Sequence, residues 1–210
     1  MDVTCISDLH GHYPKLDGGD LLIVAGDLTR TDTEQQYFEV FDWLEEQRYK
    51  KKILIAGNHD MRMEAENYQG PRGVVKDAFT YLCDSGTEFE GLKIWGSPWT
   101  QWFPGVNPRC NAFMVSESKL EAKWAKIPHD IDILITHSPP FAILDQDYMG
   151  INCGDIALKE RIDQISLKLH VFGHIHAGHG QVKFSGTMFV NAAHMNDNYE
   201  PVNKPIRVVL

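Results

Sequence analysis

Five short aliphatic runs each stop abruptly at a residue that can bind a metal or move a proton, and this pattern constrains the fold more than any other feature of the chain. Val3-Thr-Cys-Ile-Ser7 runs into Asp8-Leu-His10, Leu21-Leu-Ile-Val-Ala25 into Gly26-Asp27, and Ile53-Leu-Ile-Ala56 into Gly57-Asn58-His59-Asp60. Ile131-Asp-Ile-Leu-Ile-Thr136 ends on His137, and Leu169-His-Val-Phe172 ends on Gly173-His174-Ile-His176-Ala-Gly-His179-Gly180. Runs this dense in aliphatic residues read as buried strands whose C-terminal ends open onto a site. Neighbouring strand ends on one sheet edge lie close in space, so residues scattered from position 8 to 176 are expected to converge on one crevice.

The remaining elements complete an α/β pattern. Asp32 or Thr33 is expected to cap a helix reaching to about Tyr49, with Tyr37, Phe41, Leu44 and Arg48 on one face and Lys50 to Lys52 near its end. Strand, helix and strand then form a crossover unit. Leu92 to Trp95 reads as a strand, followed by a loop through Gly96-Ser-Pro98 and Trp99-Thr-Gln-Trp102-Phe103-Pro104. Ser118-Lys-Leu-Glu121 has the form of a capping box opening a helix that turns Leu120, Trp124 and Ile127 inward and stops at Pro128. Residues 154 to about 166 read as another helix, with Leu158, Ile162 and Ile165 at helical spacing, and Thr187 to Val190 and Ile206 to Leu210 read as strands. With no repeat, low-complexity tract or linker, 210 residues at 43% hydrophobic content imply one α/β domain over 1–210.

Composition narrows the function. A formal charge of −9 disfavours a phosphate-tracking nucleic-acid binder, and no apolar run reaches the length of a membrane span. The N-terminus has no basic region ahead of an apolar one, so the expected location is cytoplasmic. Cys5, Cys83, Cys110 and Cys153 form no C-x-x-C pair, so neither a zinc knuckle nor a disulfide framework is indicated. Cys5 and Cys83 read as small core hydrophobes.

The convergent set holds three oxygen donors and four imidazoles, too many for one tetrahedral zinc and about right for two ions sharing a carboxylate, with Asp27 the natural bridge. If the segment carrying them is extended, His174 and His176 project from the same face. Oxygen and imidazole donors without thiolate suit Mn²⁺, Fe or Zn²⁺.

Asp-x-His, Gly-Asp, Gly-Asn-His-Asp, a lone His after a strand and Gly-His-x-His, in that order, resemble the metallophosphoesterase (calcineurin-like phosphoesterase) superfamily. The run Gly96-Ser-Pro-Trp99, the stretch Asp132 to Pro140 and the run His170 to Gly180 are most similar to its metallophosphoesterase-domain (MPPED) subfamily. This resemblance implies a four-layer α/β/β/α sandwich of two mixed β-sheets flanked by helices, with a dinuclear metal site at the C-terminal strand ends. It implies that Asp8, His10 and His176 hold one ion, that Asn58, His137 and His174 hold the other, and that Asp27 bridges. His59 would not be a ligand; with Asn58 it would contact the substrate phosphate and protonate the leaving oxygen or stabilise its charge. Some subfamily members lack one histidine of Gly-His-x-His, but both are present here. In phosphoprotein phosphatases of the superfamily the motif Gly-Asp-x-Val-Asp-Arg-Gly supplies a second Asp that orients the catalytic histidine. Here Gly26-Asp27-Leu28-Thr29-Arg30-Thr31 puts Arg30 at that position, leaving Asp60 and Asp32 as the nearby carboxylates and disfavouring a protein phosphatase.

The implied activity is hydrolysis of small phosphate esters, in particular phosphodiesters such as cyclic nucleotides, by attack of a metal-bridging hydroxide, with two divalent ions, Mn²⁺ before Fe or Zn²⁺. The alternatives are a nucleotide-binding or regulatory protein that keeps the fold with little turnover, and a metal-dependent nuclease. His179 and His194 are candidate substrate contacts at the pocket wall, whereas His12 reads as a solvated loop residue. Trp99, Trp102 and Phe103 read as packing residues, with base stacking as the functional alternative.

Overall fold

A computed structural model describes residues 1–65, 78–102 and 109–210; Phe103 and Pro104 therefore lie outside the described residues. The chain opens with β1 (Asp2–Ile6) and β2 (Gly19–Ala25), followed by α1 (Glu34–Glu46) and β3 (Tyr49–Ile55). A single-turn α2 (Met61–Glu64), β4 (Thr80–Tyr81), β5 (Ser85–Phe89) and β6 (Leu92–Ser97) come next, then β7 (Thr100–Gln101) and β8 (Met114–Val115). The second half comprises α3 (Glu117–Trp124), β9 (Ile133–Thr136), α4 (Ile156–Ile162), β10 (Leu169–Phe172), β11 (Gly180–Phe184), β12 (Thr187–Asn191) and β13 (Ile206–Val209).

Two mixed sheets result, one in the order β13-β1-β2-β3-β4 and one in the order β11-β12-β10-β9-β6-β5, beside a minor pair β7-β8. The inner strands are apolar on both faces because both faces are covered. Val3, Cys5, Leu21, Ile23, Ala25, Ile53 and Ile55 meet Ile94, Ile133, Ile135, Leu169, Val171 and Val190 between the sheets. The alternate residues Ile6, Leu22, Val24 and Leu54 lie in a second cluster with Tyr37, Val40, Phe41, Trp43 and Leu44 of α1. On the far side Leu134, Phe172 and Phe189 are covered by Leu120 and Trp124 of α3 and Leu158 and Ile162 of α4. The layers are thus helix, sheet, sheet, helix, as the resemblance implies. Parallel pairing of β1, β2 and β3 in one sheet, and of β6, β9, β10 and β12 in the other, brings their C-terminal ends to common edges.

Expectations about the bounds of all three longer helices are corrected. Helix α1 ends at Glu46, not near Tyr49, and Arg48 lies outside it. The lysines belong to β3, where Lys51 pairs with Leu21 and Lys52 with Leu22. Lys52 still serves the helix end: its Nζ donates to the carbonyls of Leu44 and Glu45 at 2.6 and 3.2 Å from across the turn. Helix α3 starts after Ser116 and the expected capping box is not formed: the Ser116 hydroxyl lies 3.2 Å from that of Ser118 and caps no backbone N–H. It also ends at Trp124, ahead of Pro128, and α4 is confined to Ile156–Ile162 behind an Asp155 cap. The short or half-exposed strands β4, β5, β7, β8 and β11 have no counterpart in the sequence reading, because exposed strands at sheet edges need no apolar run.

Asp155 ties the two outer helices together. Its Oδ1 accepts from the Leu158 backbone N–H at 2.6 Å and from Trp124 Nε1 at 3.0 Å. Burial pushes its carboxyl above the ordinary range, so its ionisation opposes folding and wild-type stability falls as pH rises through that range. Asp155→Ala should lose about 2 kcal/mol in urea unfolding. Asp155→Asn keeps an acceptor oxygen without the charge, and it should match or exceed wild type at neutral pH while losing that advantage towards pH 4.

Candidate metal centre

The site forms where the edges of the two sheets are stitched together. Ser7 pairs with Ala193 across the sheets, and the His174 N–H donates to both Asp8 carboxylate oxygens at 3.1 Å. Gly173 makes this approach possible: a Cβ there would overlap the Asp8 carboxylate and the Ser7 side chain. Asp8, His10, Asp27 and His174 all adopt positive φ, at 52, 44, 51 and 67°. Left-handed backbone at non-glycine residues costs on the order of 1–3 kcal/mol each, and its concentration here marks a functional edge. His174 is thus not extended, and His176 opens a short 3₁₀ turn, so the two histidines diverge instead of sharing a face.

Their divergence sends them to different partners. Donor atoms of Asp8, His10 and His176 lie within 4.8 Å of one another, as do those of Asp27, His137 and His174 and those of His10, Asp27 and His59. Asp27 belongs to two of these groups, with its oxygens 3.6 Å from His10 Nε2, 3.3 Å from His137 Nε2 and 4.0 Å from His59 Nε2. Asn58 adds an oxygen: its Oδ1 lies 3.0 Å from His137 Nε2 while its Nδ2 donates to the Cys110 carbonyl at 3.1 Å. Seven residues from five strand ends thus converge, in an arrangement consistent with two ions sharing Asp27.

Backbone carbonyls set the imidazole tautomers. His137 Nδ1 lies 2.9 Å from the Ala25 carbonyl, His176 Nδ1 3.0 Å from that of Asn196 and His59 Nδ1 3.1 Å from that of Arg30. A carbonyl only accepts, so each Nδ1 carries hydrogen and each Nε2 faces the cluster. The orienter of His59 is therefore the main chain of Arg30, the residue that stands in place of the motif aspartate. Neither nearby carboxylate serves: Asp60 accepts from the N–H groups of Gly57, Leu28 and Thr29, and Asp32 accepts from Tyr37 Oη and the Arg62 N–H.

Electrostatics suit cation binding. Burial pushes the Asp8 carboxyl up, but His176 and then His137 outweigh it and leave the group at about 2. Asp27 follows the same logic, with burial overcome by His137 and His59, and lies well below the usual carboxylate range. Burial holds His10 and His174 neutral, at about 4 and about 3, so their lone pairs are available. His137 is buried too, but Asp27 raises it to about 9. His10 Nε2, which faces the Asp27 carboxylate, is buried without a hydrogen-bond partner, and an ion would satisfy it. The residues present fit a divalent metal.

The other candidates have partners of their own. His179 Nε2 bonds the Lys204 carbonyl at 3.1 Å and His194 Nδ1 that of Asn203 at 2.7 Å, so both rings engage the C-terminal loop, and His12 is exposed. Trp99 is a packing residue: Nε1 donates to Asp84 at 3.0 Å, Lys123 Nζ lies 3.2 Å above the ring, and Phe113 meets its edge. Trp102 is 51% exposed. The sequence reading missed Tyr199, whose ring lies 5.0 Å from His10 and 5.2 Å from His176. No apolar run precedes it, so no local signal marked it.

Comparison with known proteins agrees with this geometry. The family model for calcineurin-like phosphoesterases matches residues 1–178. The human metallophosphoesterase domain-containing protein 1 is 34% identical over 99% of this chain and 70% of its own length. Among solved structures, TT1561 of Thermus thermophilus superposes with a TM-score of 0.61 at 17% identity, covering 90% of this chain and 88% of its own. Phosphopantetheinyl hydrolase of Mycobacterium tuberculosis does so with a TM-score of 0.58, also at 17% identity, covering 94% and 90%. The chain belongs to the calcineurin-like phosphoesterase family, in a branch like that of metallophosphoesterase domain-containing protein 1, and is a metal-dependent hydrolase of phosphate esters. Among the described residues no helix is long and apolar enough to cross a membrane.

If Gly173 is the point of approach, Gly173→Ala should displace the Asp8 carboxylate and weaken Mn²⁺ uptake by about 10–100-fold in isothermal titration calorimetry, with the circular dichroism spectrum retained.

Proposed function

We propose that the protein hydrolyses small phosphodiesters, cyclic nucleotides among them, with two divalent ions, Mn²⁺ before Fe or Zn²⁺. The observation that carries this reading is the chain of three donor groups, Asp8-His10-His176, His10-Asp27-His59 and Asp27-His137-His174, linked through His10 and Asp27, with the His59 ring held by the Arg30 carbonyl. Asp8, His10 and His176 would hold one ion, Asn58, His137 and His174 the other, and Asp27 both. When bound, such ions acidify water and neutralise phosphate oxygens.

The chain's own residues supply orientation and a proton. Asp27 Oδ1 accepts the His59 N–H at 2.9 Å, which anchors the backbone of the Asn58-His59 turn beside the donors. With Nδ1–H on the Arg30 carbonyl, the protonated His59 ring has a single remaining N–H, at Nε2, and it faces the cluster. That group can bind a phosphoryl oxygen and deliver its proton to the leaving oxygen. Asn58 is fixed by the Cys110 carbonyl, so its Oδ1 does not rotate away. Every hydrogen bond that orients these groups preexists, which lowers the reorganisation needed in the transition state.

The metal-loaded protein should hydrolyse bis-p-nitrophenyl phosphate, and chelation should abolish the rate. His59→Ala should lower kcat by about 10²–10⁴-fold with metal content intact. Asp27→Ala should lose bound metal as well as rate, measured by elemental analysis after gel filtration. If the loaded protein cleaved neither this diester nor p-nitrophenyl phosphate, the site would be one for binding, and the hydrolytic reading would fall. Rates on 2′,3′-cyclic and 3′,5′-cyclic nucleotides then rank the natural ester class.

A further inference from the structure

Two loops from opposite sheets meet over the donor cluster, and one of them carries an arginine. Arg30, after β2, has an exposed side chain with no carboxylate within ion-pair distance among the described residues. Its acidic neighbour Asp32 is engaged by Tyr37 Oη at 2.8 Å and by the Arg62 backbone N–H at 2.9 Å. The base of the arginine is fixed. Its N–H donates to Gln36 Oε1 at 3.2 Å, the Thr31 N–H donates to the same oxygen at 3.0 Å, and its carbonyl holds His59.

Tyr199 comes from the loop after β12. It sits at φ 58°, a conformation that a bulky side chain adopts only when its surroundings enforce it. Here Asn196 enforces it: Oδ1 accepts from the N–H groups of Asn198 and Glu200, both at 2.9 Å, and Nδ2 donates to Glu200 Oε2 at 2.7 Å. The Asn196 carbonyl meanwhile fixes His176. The ring so held touches His10 and His176 edge-on, lies 6.3 Å from His59, and has the Arg30 Cζ 5.8 Å from its centroid. It thereby supports the guanidinium beside the donor cluster and leaves the planar N–H fork free.

We propose that Arg30, supported by the ring of Tyr199, recognises a second phosphate on the substrate, separate from the one that reacts. This rests on the phosphodiesterase reading above and narrows its substrate class. The reacting phosphate is served by the metal centre, Asn58 and His59, whereas the guanidinium lies one aromatic ring from the ligand histidines. A phosphate is the anion that an arginine fork binds with two parallel hydrogen bonds. A substrate with one phosphate, such as a simple cyclic nucleotide, would leave Arg30 unused.

The test compares thymidine 5′-(p-nitrophenyl phosphate) with the same ester carrying a 3′-phosphate, using the Mn²⁺-loaded full chain. Wild type should prefer the 3′-phosphorylated ester by about tenfold in kcat/KM, mainly through KM, as expected for one charge-assisted bidentate contact. Arg30→Gln should reduce this ratio to within about twofold, and Arg30→Lys should retain part of it, since a point charge remains but the fork does not. Tyr199→Phe should keep the preference and Tyr199→Ala should diminish it. Calorimetric titration with thymidine 3′,5′-bisphosphate and thymidine 5′-monophosphate provides a readout independent of turnover, and should show the same ratio and the same loss. Equal use of the two esters by wild type, or a preference that survives Arg30→Gln, overturns the role of Arg30 and leaves the phosphodiesterase reading intact. Selective, Arg30-dependent binding without hydrolysis of either ester overturns the phosphodiesterase reading and confirms the second-phosphate site.

Discussion

The structure turns on the buried carboxylate of Asp27. It lies where the edges of two sheets meet, with three imidazole nitrogens within 3.3 to 4.0 Å of its oxygens and one oxygen accepting the His59 N–H. A carboxylate placed this deeply is costly unless positive charge compensates it, and the imidazoles around it provide only part of that compensation. Asp8 repeats the arrangement a few residues away in space, bound to the His174 N–H and facing His176. Divalent cations would complete both. The concentration of acid that would destabilise an ordinary core is therefore what makes this edge a metal site.

Holding such a cluster requires a scaffold that resists collapse. Two sheets packed face to face supply it, because their parallel strands end together and the aliphatic layer between them fixes their spacing. Strain follows from that demand. Four of the site residues adopt left-handed backbone, and Gly173 gives the sheets room to approach. Cooperative sheet pairing on either side supplies the free energy that sustains these local conformations.

Proton positions are governed by the main chain. Three histidines of the site donate Nδ1–H to carbonyls, of Ala25, Arg30 and Asn196. A carbonyl fixes the tautomer without adding a second negative charge to a crevice already rich in it. Replacement of the motif aspartate by Arg30 is thus compatible with an ordered His59: the side chain changed, but the orienting bond passed to the backbone of the same residue.

The local sequence determined what depends on neighbours along the chain. Apolar runs that end at Asp, Asn or His identified the inner strands and the donors at their ends, and the order of those motifs carried the family. Tertiary structure decided what depends on residues distant in sequence. The divergence of His174 from His176 arises because one loop must reach both Asp8 and His137, so the alternation expected of an extended segment gives way. Lys52 joins a strand because pairing with β2 outweighs helix continuation, and edge strands with no apolar run form because β6 and β12 offer partners. Tyr199 and Arg30 stand 169 positions apart, so no spacing rule links them. They meet only because both sheets deliver their loops to one edge.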